Sequence, residues 1–95
     1  MRPRDEVWIL SEVADWDAFD RLAERLAEGL EGTWTRQLDG PDQRYWDLAV
    51  GGVTLTLHLD TFAGIELGPG PDTDDRRAAA DLLARAVRLL GGPGR

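Results

Sequence analysis

Residues 44–60 read Arg44-Tyr45-Trp46-Asp47-Leu48-Ala49-Val50-Gly51-Gly52-Val53-Thr54-Leu55-Thr56-Leu57-His58-Leu59-Asp60, and the period of this stretch sets the architecture around it. Trp46, Leu48 and Val50 alternate with Tyr45, Asp47 and Ala49. Beyond Gly51-Gly52, Val53, Leu55, Leu57 and Leu59 alternate with Thr54, Thr56, His58 and Asp60. A strand turns successive side chains to opposite faces, so both segments read as strands with one apolar face. Two glycines, which tolerate positive φ, mark a two-residue hairpin. That turn sets Val50 opposite Val53, Leu48 opposite Leu55 and Trp46 opposite Leu57, with Tyr45 facing His58 and Asp47 facing Thr56 on the other side. Every apolar residue then meets an apolar partner, as a half-buried sheet requires.

The segments on either side extend the sheet. Residues 33–38 alternate, and the turn cluster Asp39-Gly40-Pro41-Asp42 leads back into the hairpin. A five-residue loop at 39–43 pairs Trp34 with Leu48 and Leu38 with Arg44. This register turns Arg36 and Arg44 toward the apolar side, where Arg36 would stack on Trp46 and Arg44 would escape at the strand end. After Phe62-Ala63-Gly64, residues 65–67 form a short strand that places Glu66 opposite either His58 or Asp60. The continuous run Val7-Trp8-Ile9-Leu10 reads as a strand well inside the sheet.

Two helices complete the pattern. Asp15 reads as an N-cap, and Trp16, Phe19, Ala23, Leu26 and Leu30 recur at helical spacing, with Gly32 expected to end the helix. Past Gly68-Pro69-Gly70-Pro71, Asp72 or Thr73 is expected to cap a second helix. Its apolar face is Ala79, Leu82, Leu83, Ala86 and Leu90, with Val87 at the margin. Two amphipathic helices need a surface and the sheet offers one apolar face, so the expected fold is a single α+β domain over residues 1–95. It is a two-layer sandwich of order β-α-β-β-β-β-α, its sheet mostly antiparallel and both helices on one face. Residues 1–5 and 91–95 read as flexible tails.

Composition narrows function by exclusion. The 95 residues carry 18 acidic and 11 basic side chains, a net charge of −7, with no cysteine and a single histidine. A thiolate metal site and a cysteine nucleophile are ruled out, and a zinc site would need carboxylates for nearly all its ligands. No cofactor or metal is expected. The acidic balance argues against nucleic acid, and no basic amphipathic helix or membrane-length apolar run is present. Met1–Glu6 lacks the apolar core of a secretory leader, so a cytoplasmic location is expected. All basic residues are Arg, Lys and Asn are absent and Ile occurs twice, which points to a GC-rich, bacterial genome.

Two motifs dissolve on inspection. Gly68-Pro69-Gly70-Pro71 resembles a phosphate loop in its glycines, but its prolines remove amide donors and the following aspartates repel phosphate. Asp72, Asp74 and Asp75 lack the glycine and the bidentate Glu of a calcium loop. What remains is the polar sheet face: Thr33, Thr35, Gln37, Tyr45, Asp47, Thr54, Thr56, His58, Asp60 and Glu66. The expectation is a non-enzymatic protein-binding module, immunity- or chaperone-like, that uses Trp34, Arg36, Tyr45, Asp47, Thr56 and His58 against another, basic protein. A homodimer through an open sheet edge, at residues 33–38 or 65–67, is a further expectation. The competing expectation is a small hydrolase or isomerase in which His58 acts with Asp47, its missing walls supplied by a dimer interface.

Overall fold

The computed structural model describes residues 1–71 and 74–91. Six strands form one antiparallel sheet: β1 (Arg2–Arg4), β2 (Val7–Ser11), β3 (Thr33–Asp39), β4 (Gln43–Val50), β5 (Val53–Asp60) and β6 (Gly64–Pro69). Helix α1 (Trp16–Leu30) lies between β2 and β3, and α2 (Arg76–Leu89) follows β6. The spatial order is β1-β2-β6-β5-β4-β3, so α1 carries the chain across the sheet from β2 to its far edge. Both helices cover one face, where Phe19, Leu26 and Ala86 join Leu48, Leu55, Leu57, Leu59, Ile65 and Leu67 in a single core. The expected α+β sandwich is the observed one.

The β4–β5 register is as the alternation dictates, from Val50 opposite Val53 to Tyr45 opposite His58 and Asp47 opposite Thr56. Gly51 supplies the positive φ of the turn, at 62°. Of the two placements open to Glu66, the one opposite His58 is realised.

Four local expectations are corrected. Residues 2–4, read as part of a flexible tail, form β1 on the outer edge of β2. The segment carries Pro3 and no apolar alternation, which suits a short protected edge and hides it from pattern reading. Residues 65–67 are not an edge, because β6 lies between β2 and β5. Asp75, not Asp72 or Thr73, caps α2 by accepting from the Ala78 N–H at 3.0 Å. Asp72 and Thr73, like residues 92–95 of the expected C-terminal tail, lie outside the described residues. Finally, α1 ends on Glu31 in the left-handed conformation, φ 54°, not on Gly32. Gly32 is already committed, since a Cβ there would sit 2.8 Å from Leu48 Cδ1 and 2.9 Å from Val50 Cγ2.

The β3–β4 pairing departs from its expected register in one step. Trp34 faces Leu48 as anticipated, but Thr35 is a bulge, after which Arg36 faces Asp47, Leu38 faces Tyr45 and Asp39 faces Arg44. An extra residue in one strand turns all later side chains to the opposite face. Arg36 and Leu38 therefore leave the helix side, and Gln37 joins it opposite Trp46.

Arg44 does not escape at the strand end. Its guanidinium carbon stands 4.7 Å from the ring centre of Trp16, 5.1 Å from Phe19 and 5.0 Å from Trp46. It pairs with Asp20 of α1 at 2.7 Å and lies 3.2 Å from Asp39 of β3. Asp39 also accepts from the Trp46 indole N–H at 2.7 Å. One cation thus joins the start of α1 to both strands of the outer hairpin. At the far end of α1, Arg25 donates to the Leu89 carbonyl at 3.0 Å and ties the helices together.

Two substitutions test this backbone logic by urea denaturation. Glu31→Gly should raise stability by about 0.5–1 kcal/mol, because a side chain in the left-handed region carries a cost that glycine lacks. Gly64→Ala should lower it by more than about 2 kcal/mol, since φ is 96° there and a Cβ would fall 2.1 Å from the Ser11 carbonyl oxygen.

Candidate functional site

The face of the sheet turned away from the helices carries all but Trp34 of the binding candidates singled out by the sequence. Alternation brings Tyr45 and Asp47 of β4, Thr56 and His58 of β5 and Glu66 of β6 to this side. The bulge at Thr35 adds Arg36 from β3, and Arg4 reaches in from β1 at the opposite edge.

These groups are bound to one another in two clusters. In the first, Asp47 Oδ1 accepts from the Thr56 hydroxyl at 2.7 Å, and Oδ2 pairs with Arg36 Nε at 2.9 Å. Asp47 is only 5% exposed although it lies on the uncovered face. In the second, Glu66 pairs with Arg4 through one oxygen, and its other oxygen stands 3.3 Å from His58 Nδ1. The His58 ring is stacked on Tyr45 with centroids 4.1 Å apart and planes 11° from parallel. Its Nε2 is enclosed and has no hydrogen-bond partner among the described residues.

The candidate residues are thus gathered on one face, but not in the pairing that catalysis would need. His58 turns to Glu66, and both oxygens of Asp47 are taken by Thr56 and Arg36, so no His58–Asp47 dyad forms. A general base must reach the proton it abstracts, and an enclosed Nε2 does not. The surface has clefts of about 540, 410 and 370 Å³, and neither His58 nor Asp47 lines any of them. No cluster of three or more potential metal ligands occurs among the described residues. Arg36 does not stack on Trp46, whose cationic neighbour is Arg44. Trp34, also placed among the candidates, packs edge-on against Trp46 at 5.5 Å on the helix side and is half-buried.

Two apolar side chains are exposed toward one end of the sheet. Leu38 is 53% exposed beside Tyr45, and Phe62, in the turn between β5 and β6, is 92% exposed. That turn is fastened to the β3–β4 loop, because the Thr61 backbone N–H and hydroxyl both donate to the Asp42 carbonyl, at 3.1 and 2.8 Å. Beside this patch runs β3, seven residues long, paired only with β4 and free along its outer side. Leu38 and Phe62 were missed by the sequence reading. Unpaired apolar residues at strand ends and turns are common, and Leu38 reaches the open face only through the bulge.

Fold and face together define a two-layer antiparallel α+β sandwich with one uncovered, internally neutralised polar face. Residues 1–87 match the family described as "Protein of unknown function (DUF3630)", and the chain belongs to that family. Neither a curated protein nor a solved structure matches it. Among the described residues no helix is long and apolar enough to cross a membrane.

The geometry assigns Asp47 to structure. Asp47→Ala should lower stability by about 1–3 kcal/mol by stranding the Thr56 hydroxyl and the Arg36 guanidinium. Arg36→Ala leaves the buried Asp47 carboxylate without its counterion and should also cost about 1–3 kcal/mol. Parallel urea titrations of the two variants check both losses.

Proposed function

We propose that this protein is a non-enzymatic binding module, immunity- or chaperone-like, that engages another, basic protein through the β3 edge and the adjoining end of the open face. The observation that carries this reading is the seven-residue β3 edge, unpaired on its outer side and flanked by exposed Leu38 and Tyr45. An uncovered edge of this length offers main-chain donors and acceptors that a partner strand can complete. The other edge differs: β1 has three residues, one of them Pro3, between Arg2 and Arg4. The internal neutralisation of the polar face also supports a recognition role, because its charges fix a rigid platform and leave its apolar end for contact. The net charge of −7 favours a basic partner, through faster encounter and fewer wrong partners. A second copy of the chain pairing along β3 is the homodimeric form of the same reading.

The test uses the native chain as bait in cell lysate at low and high salt, beside Leu38→Asp and Phe62→Asp. Both side chains are well exposed, so each variant should keep its stability within about 0.5 kcal/mol. A basic protein captured by the native chain, lost at high salt and lost with Leu38→Asp is the expected outcome. Capture unaffected by either variant would remove the β3 end of the face as the contact.

A further inference from the structure

A cleft lies at the other end of β6 from Phe62, where the β1–β2 turn, the end of β6 and α2 diverge. Its volume is about 540 Å³, within the roughly 300–1,000 Å³ typical of small-molecule sites. Val7, Trp8, Pro69, Ala80 and Leu83 supply apolar wall, and Asp5, Glu6 and Arg76 supply the charged groups.

The sign of the charge it would accept follows from which of these groups are already matched. Arg76 donates to Glu6 at 2.8 Å, so this pair adds no net charge to the cleft. The positive end of α2 is matched too, by the carboxylate of its cap Asp75. Asp5 has no ion pair or hydrogen-bond partner among the described residues. It also occupies the first position of a two-residue turn at φ 56°, where glycine is the default and a side chain is disfavoured. An anion would therefore meet an uncompensated carboxylate, and a neutral solute would leave that carboxylate unused. A cation would meet Asp5 and the ring of Trp8, and tryptophan is the best of the aromatic faces for holding positive charge.

We propose that this cleft is a binding site for a small organic cation with an apolar body, an aryl- or alkylammonium, with the body against Trp8 and Leu83 and the charge toward Asp5. This site is separate from the β3 end of the face and does not depend on the protein-binding reading.

The test follows the indole N–H signal of Trp8 by NMR in the native chain during titration with phenethylammonium, with phenylacetate and benzyl alcohol as the anionic and neutral counterparts. A saturable shift with phenethylammonium alone is expected. Asp5→Asn should weaken it by about three- to tenfold. Ala80→Trp, at an exposed position on the wall, should abolish it while leaving signals elsewhere in place. Equal shifts with phenylacetate or benzyl alcohol, absence of saturation, or an undiminished response in Ala80→Trp would each overturn the proposal.

Discussion

The structure depends on the pairing of β4 with β5. Because side chains alternate with a period of two, a slip of one residue would set the apolar side of one strand against the polar side of the other, sending either Trp46 and Leu48 or Leu55, Leu57 and Leu59 into water. The short turn at Gly51-Gly52 and the match of apolar with apolar on one side leave one register. β6 and β3 extend that face on either side, and α1 and α2 have only one surface on which to bury Phe19, Leu26, Leu83 and Ala86. Arg44 then locks α1 to this frame, held among three aromatic rings and facing carboxylates on both α1 and β3. A half-buried cation is tolerated when its charge is matched and it lies over aromatic rings, and both conditions are met here.

The uncovered face solves a second problem of the same sheet. A six-stranded sheet with helices on one side must present its other side to solvent, and here that side is cross-linked by polar contacts. Arg4 to Glu66 joins β1 to β6, Glu66 to His58 joins β6 to β5, Asp47 to Thr56 joins β5 to β4, and Arg36 to Asp47 joins β4 to β3. The arginines come from the two edge strands and lean inward over carboxylates nearer the centre. The bulge at Thr35 makes this arrangement possible. Without it Arg36 would sit on the helix side beside Trp46, in the layer that Arg44 already occupies, and Asp47 would lose its counterion. Leu38 is exposed as a consequence, next to the free edge of β3.

Much of this was legible in the residues. The hairpin, its cross-strand pairs, the Asp15 cap and the apolar stripe of α1 all follow from local period and local chemistry, and all appear in the structure. The gathering of Tyr45, Asp47, Thr56 and His58 on one face follows equally, since alternation alone decides it. The partners of those side chains did not follow. Asp47 and His58 look like a dyad when only their nearness is known, yet Arg36 and Glu66 arrive from neighbouring strands and claim them separately. Residues 2–4 were equally illegible as a strand, because a short edge segment with a proline has no periodicity to read and owes its conformation to β2 beside it.

The sequence by itself determined which residues alternate, where the chain turns and which faces are apolar, because each is set by interactions over a few residues. Tertiary structure decided the strand order, the bulge at Thr35, the left-handed Glu31 and the pairing of Asp47 with Arg36 and of Glu66 with Arg4 on the open face. Each of these depends on what stands opposite. Glu31 holds the left-handed cap position, and the residue after it, Gly32, is packed closely against Leu48 and Val50. Arg36 changes face because one side offers a carboxylate and the other an occupied aromatic layer. Such choices balance desolvation against pairing between segments far apart in the chain, and they exist only once those segments have met.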